Sequence, residues 1–121
     1  MITDGLEMIV GVVNDAVFGP VVTVGLGGVL AETIRDVNHR VAPFGLGEAR
    51  AMIDELRANA IFDGLRGGAP RDRDALVAAL VRISELAWDL RERLVELDIN
   101  PLFVRSPGRG VVAADALVVL R

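Results

Sequence analysis

Val95-Glu96-Leu97-Asp98-Ile99-Asn100-Pro101-Leu102-Phe103-Val104, then the turn Arg105-Ser106-Pro107-Gly108-Arg109, then Gly110 to Leu120, form the most informative part of the sequence. Two β-rich runs flank a Pro-Gly turn, the pattern of a closing hairpin. From Glu96 to Leu102 polar and apolar residues alternate, and successive strand residues face opposite sides. Glu96, Asp98 and Asn100 therefore line one face, while Leu97 and Ile99 pack on the other. Asp and Asn are poor strand formers, so three oxygen-bearing side chains in a row carry a local penalty that something must offset. With the turn centred between Pro107 and Gly108, paired residue numbers sum to 215 and Asn100 faces Asp115. Directly opposed residues have Cβ atoms about 4.5–5.5 Å apart. A carboxylate and an amide carbonyl at that separation can bind one hard cation such as magnesium. They can equally hydrogen-bond nearby loop backbone, as Asp and Asn at strand ends commonly do. A one-residue bulge would break the pairing.

Upstream of this ribbon the chain reads as helices. Asp72 to Arg93 carries Leu76, Leu80, Ile83, Ala87 and Leu90 at helical spacing, with Asp72 or Asp74 as N-cap. Trp88 is expected in the core with them. Glu48 to Asn59 repeats the pattern through Ala49, Met52, Ile53 and Leu56. Between the helices lies a glycine-rich loop, Gly64 to Arg71, in which Arg66 could clamp a phosphate or stay solvated. Arg71 and Arg73 read as surface charges beside the helix start. The first third reads as strands again: Glu7 to Asn14, a loop from Asp15 to Gly19, Pro20 to Val24, and Val37 to Ala42. Glu7 either approaches a ligand or guards a sheet edge. Gly25, Gly27 and Gly28 either let backbone amides approach a phosphate or serve a tight reversal. His39 is expected to be structural. Strands, helices, then a hairpin define an α+β class, a largely antiparallel sheet with helices on one face, and a single domain over 1–121.

Composition narrows the function. The 121 residues are 52% hydrophobic and 25% charged, enough for one small core without staples. With no cysteine, disulfides, thiolate metal sites and a cysteine nucleophile are excluded. All 13 basic residues are arginine, which excludes a lysine phosphate clamp or Schiff base from this chain. A net charge of -4 gives no footprint for nucleic acid. No run approaches the roughly 20 apolar residues of a membrane span, and Met1 to Gly5 lacks a basic signal-peptide region. A cytoplasmic setting is the expectation.

Three stretches together resemble one family. Glu96 to Leu102 with Val112 to Ala116 is similar to the closing hairpin of NDP-forming acyl-CoA synthetases and the related succinyl-CoA synthetase β subunit. Glu7 to Gly11, Asp15, Phe18-Gly19-Pro20 and Gly25 to Gly28 resemble its earlier strands, and Asp63 to Gly67 its inter-helical loop. His39, where the pattern is apolar or aromatic, and Ala16, where it has proline, depart from it. The resemblance implies the C-terminal lobe of an ATP-grasp fold, with Asn100 and Asp115 as magnesium ligands and Asp98 as an acidic neighbour. It implies Mg2+ and ATP/ADP as cofactors, with Glu7, Gly25, Gly27, Gly28, Arg66 and Asp98 near the nucleotide. It also implies partners: the N-terminal ATP-grasp lobe, with its phosphate-contacting lysine, and CoA-binding domains with a phosphohistidine. The chain alone is then expected to be inactive. The competing expectation is a non-catalytic α+β interaction domain, and exposed apolar surface makes a homo-oligomer an expectation of either reading.

Overall fold

In the computed structural model, residues 5–28, 35–64 and 69–121 are described. Arg66 and part of the loop around it lie outside them. Six strands form one sheet: β1 (Leu6–Asp15), β2 (Gly19–Leu26), β3 (Val37–Val41), β4 (Leu94–Val104), β5 (Val111–Ala113) and β6 (Ala116–Leu120). Two helices, α1 (Leu46–Asp54) and α2 (Arg73–Asp89), and a 3-10 turn over Asn59–Asp63 fill the middle of the chain. The order is β3-β2-β1-β4-β5, with β6 also on β4, and every pairing is antiparallel. The expected α+β architecture, helices packed on an antiparallel sheet, is what forms.

The alternation of each central strand decides which face the helices cover. Leu6, Met8, Val10 and Val12 of β1 are buried, as are Val22 and Val24 of β2 and Leu97, Leu102 and Val104 of β4. Against them pack Ala49, Met52 and Ile53 of α1 and Leu76, Leu80 and Ala87 of α2, all at the predicted helical spacing, joined by Val77, which the predicted stripe did not include. Helix α1 ends earlier than predicted, at Asp54, and the remainder of that segment becomes a turn and the 3-10 helix. Helix α2 stops at Asp89, so strand β4 begins at Leu94 after a tight turn.

Polar anchors fix the helices to the sheet. Asp72 is the N-cap: its Oδ1 accepts from Ala75 N at 3.2 Å, and its Oδ2 accepts from Gly108 N at 3.0 Å and Gly110 N at 2.9 Å. One carboxylate thus caps α2 and clasps the β4–β5 turn, where Gly108 adopts the φ of +82° that a side chain would resist. Asp36 is 4% exposed, and its carboxylate accepts from Arg57 N and Ala58 N, both at 2.8 Å, closing the end of α1. Buried Ser84 donates to Val81 O at 2.7 Å and also meets Phe44.

Three sequence expectations need correction. Trp88 is 39% exposed, with Arg91 stacked 4.2 Å from its ring, because the helix turns that position outward beyond the sheet. Arg73 is no loose surface charge. Its guanidinium reaches Asp54 at 2.7 Å, Asp63 at 3.3 Å and Asn59 O at 3.0 Å, and lies over Phe62 at 5.1 Å. The alternation of β4 also slips twice. Leu94 and Leu97 are both buried because a bulge inserts one residue between them, and Ile99 and Leu102 both face the helices because Asn100 and Pro101 together oppose Ile9 of β1. Proline has no N–H for the ladder, which is why it is tolerated at such a bulge.

Candidate functional site

The sheet's second face is open, and cross-strand register lays it out in rows. One row runs His39, Thr23, Gly11, Asp98 and Leu117, pair by pair. Beside it, towards the Leu6 end of β1, run Val37, Gly25 and Ile9. Glu7, opposite Phe103, comes next. On the other side lie Val41, Val21, Val13, Glu96 and Val119. The face thus carries a polar strip between apolar ones, and at Gly11 the strip has no side chain. His39 Nδ1 and Thr23 Oγ1 are 2.7 Å apart, so the histidine has the hydroxyl partner that the sequence alone did not identify.

The register of the terminal ribbon is the one read from the sequence. Leu102 faces Ala113, Phe103 faces Val112, and Ile99 faces Ala116, each pair summing to 215. Between the two short strands Asn100 N donates to Asp115 O at 3.1 Å and Ala114 N to Pro101 O at 3.0 Å. Asn100 and Asp115 are therefore opposed, and both are exposed. The bulge at Pro101 shifts β4 against β1 but not against its hairpin partner. Asp98 precedes this pair by one alternation and stands over Gly11. Among the described residues no three histidine, cysteine or acidic side chains converge into a cage. A carboxylate and an amide carbonyl, both hard oxygen donors, suit a magnesium ion that completes its octahedron with water and phosphate oxygens.

Glu7 joins the same end of the face. It lies on the central strand β1, so guarding an edge is not its role. Its carbonyl accepts from Gly27 N at 2.9 Å, and a Cβ on Gly28 would collide with its carboxylate oxygen Oε2. Gly28 sits at φ +63°. At Gly25 a Cβ would stand 2.5 Å from Val37 Cγ1 and 2.9 Å from Asp36 O, so close approach of β3 requires glycine there. The amide of Gly27 is thus already donated within the chain. A hollow of about 150 Å³ lined by Ile9, Thr23, Gly25 and Val37 opens beside them. A larger, shallower one of about 590 Å³ lies at the opposite end of the sheet, against Asn14, Val17, Trp88 and Arg91, and none of the predicted site residues lines it.

Charge elsewhere serves the frame. Arg40 on β3 pairs with Glu55 at 2.8 Å and Glu48 at 3.5 Å. The guanidinium, then Asn38, hold the Glu55 carboxyl below its ordinary value, and Glu55 in turn raises Arg40. The amides of Phe18 and Val17 lower Asp15 at the end of β1.

The model of the ATP-grasp domain matches residues 1–120, and the chain belongs to that family. It is 40% identical over its whole length to the β subunit of the ADP-forming acetate–CoA ligase II of Pyrococcus furiosus, covering 51% of that protein. It is 42% identical over 120 residues to the β subunit of ligase I from the same organism, covering 50%. Among solved structures, an acetyl-coenzyme A synthetase from Ca. Korarchaeum cryptofilum superposes with a TM-score of 0.91 at 38% identity, over all of this chain and 55% of that one. That structure holds coenzyme A and Mg-AMPPCP, with a phosphohistidine segment pointing towards its nucleotide site. The chain thus spans about half the length of these relatives. Among the described residues no helix is long and apolar enough to cross a membrane.

Proposed function

We propose that this chain is the magnesium–nucleotide lobe of an ADP-forming acyl-CoA synthetase, whose overall reaction joins an acid and CoA while ATP becomes ADP and phosphate. The observation that carries this reading is the opposition of Asn100 and Asp115 across the terminal ribbon, on an uncovered sheet face. The identity with two ADP-forming ligase subunits supplies the reaction class.

The Asn100 carbonyl oxygen and the Asp115 carboxylate would hold the ion. Magnesium bound there supplies charge neutralisation on phosphate oxygens during phosphoryl transfer. Asp98, one alternation away, faces the same side and can accept hydrogen bonds from water around the ion. Glu7, pressed against Gly28, sets the far wall of this end of the face. Gly25 and Gly27 hold the backbone of β2 close to its neighbours, and Arg66 supplies a planar donor fork for phosphate. The chain has no lysine, so an ammonium on the phosphates, the remaining nucleotide wall and the CoA-binding domains belong to partners. By itself the chain would be inactive and would bind nucleotide weakly. The expected setting is the cytoplasm.

Calorimetric titration of magnesium with a non-hydrolysable ATP analogue tests this. The chain alone should bind weakly, and binding should tighten when the preceding ATP-grasp half is joined to it. In that longer protein Asn100→Ala and Asp115→Ala should each weaken magnesium-dependent binding about tenfold or more, since even groups behind metal ligands matter about 10–100-fold. Unchanged affinity in both variants would remove the ligand assignment.

A further inference from the structure

The outer edge of β6 shows what can cover it. Ala116-Leu117-Val118-Val119-Leu120 contains no charge, pairs only with β4 among the described residues, and is exposed on both faces: Leu117 at 56%, Val118 at 47% and Leu120 at 43%. Natural sheets blunt such an edge with charges, proline or a bulge, because its free N–H and C=O groups template another strand. None of these devices lies within β6, and its only two charges, Asp115 and Arg121, stand immediately outside it at opposite ends.

We propose that this edge pairs antiparallel with the same edge of a second copy, in a register where residue numbers sum to 236. Backbone direction comes first. Asp115 O and Arg121 N both bond inward to the β4 side, to Asn100 N at 3.1 Å and to Arg93 O at 2.9 Å. Since strand residues alternate, Ala116, Val118 and Leu120 turn their N–H and C=O groups outward. An antiparallel edge bonds only outward residue to outward residue, so the sum must be even. At 236, Val118 meets Val118 on the two-fold axis, and Ala116 meets Leu120 on each side.

Charge then selects among the even sums. At 236 the Asp115 of each copy faces the Arg121 of the other, in two equivalent pairs on the open face of the sheet. At 234 Asp115 would face Val119, and at 238 Arg121 would face Leu117. A parallel pairing in register would set like charges together at both ends, which is destabilising. The guanidinium of Arg121 has capacity for this, because among the described residues its one side-chain bond is from Nε to Glu92 O at 3.3 Å. Leu117 would lie against Val119 of the second copy, so each exposed apolar side chain of β6 gains a neighbour. An isologous contact of this kind closes on itself and leaves no edge for further growth at β6.

Sedimentation equilibrium of the 121-residue chain without divalent cations should show a monomer–dimer equilibrium. Val118→Lys, which puts two ammonium groups on the axis, should raise the dissociation constant at least about a hundredfold while the circular dichroism stays native. Arg121→Glu should raise it by roughly tenfold, and Asp115→Arg combined with Arg121→Glu should return it to the parent value, since the pairs are restored with reversed sign. The chain has no cysteine, so Val118→Cys offers an independent check. Paired Cα atoms in this register lie about 5.5 Å apart, within disulfide reach, and oxidation should give a covalent dimer where Val112→Cys gives none. A monomer at every concentration, a dimer indifferent to Val118→Lys, or a charge reversal that fails to recover association would each overturn the proposal.

Discussion

The two faces of this one sheet are written in the same strands yet do different work. On the covered face, Met8, Val10, Val22 and Val24 are fully buried against α1 and α2. Alternate residues of the same strands, Glu7, Gly11 and Thr23, present an oxygen, a gap and a hydroxyl to the open side. β3 runs the other way round: Asn38 and Arg40 face the helix, while Val37 and Val41 join His39 on the open side. Asn38 donates to Met52 O at 3.2 Å, Arg40 reaches Glu55, and Val37 and Val41 are each 48% exposed. An edge strand joined to a helix by ion pairs keeps its apolar residues for the open face. Core side chains and those of the open face are thus separated by strand parity rather than by position along the chain.

Substitutions on the two faces test that contrast. The largest effect belongs to the covered side. Leu80→Ala, at a fully buried position of α2, should cost about 2–5 kcal/mol in urea denaturation. A loss no bigger than that of a surface change would mean the helices do not hold the sheet. Next comes Asp36→Ala, which strips the Arg57 and Ala58 amides of their buried carboxylate acceptor and should cost about 1–3 kcal/mol. Thermal unfolding would reveal it, and the nucleotide affinity of the longer protein should stay unchanged.

Asp72→Ala should cost about 1 kcal/mol, the usual value of a lost N-cap. It should also speed hydrogen exchange at the Gly108 and Gly110 amides, which distinguishes a clasp from a simple cap. At the small end, Thr23→Ala on the open face should change stability by less than about 0.5 kcal/mol. Any substantial destabilisation there would show that the open face is structural after all.

Acid sharpens the comparison differently. Asp15 and Glu55 have folded-state pKa values held below their ordinary ones, by amides and by Arg40 respectively. Their contribution is present above the unfolded carboxylate values and fades as pH falls through the lowered ones. Asp15→Asn should therefore flatten the acid limb of a stability–pH curve without altering its neutral plateau.

Local rules carried the sequence reading a long way. Helical spacing found Met52, Ile53, Leu76 and Leu80. Turn chemistry around Pro107 and Gly108 fixed the register that opposes Asn100 and Asp115, because a hairpin's pairing follows from its turn and the intervening residue count. Linear pattern is silent where partners distant in sequence decide. Asp36 looks like any loop aspartate until the end of α1 arrives above it with two bare amides. Arg73 looks solvated until Asp54, Asp63 and Phe62 gather round it. Trp88 keeps the apolar spacing of its helix but overhangs the sheet.

Spacing along the chain and likeness of residues in order suffice for the alternation, the helical stripes, the closing turn and the family membership. Only contacts between distant segments settle that Glu7 sits on a central strand, that Asn100 and Pro101 form a bulge against β1 but not against their hairpin partner, and that the outer side of β6 is unpaired among the described residues. Burial and strand neighbourhood arise from contacts between segments far apart in number, and a linear pattern carries no record of which segment arrives beside it.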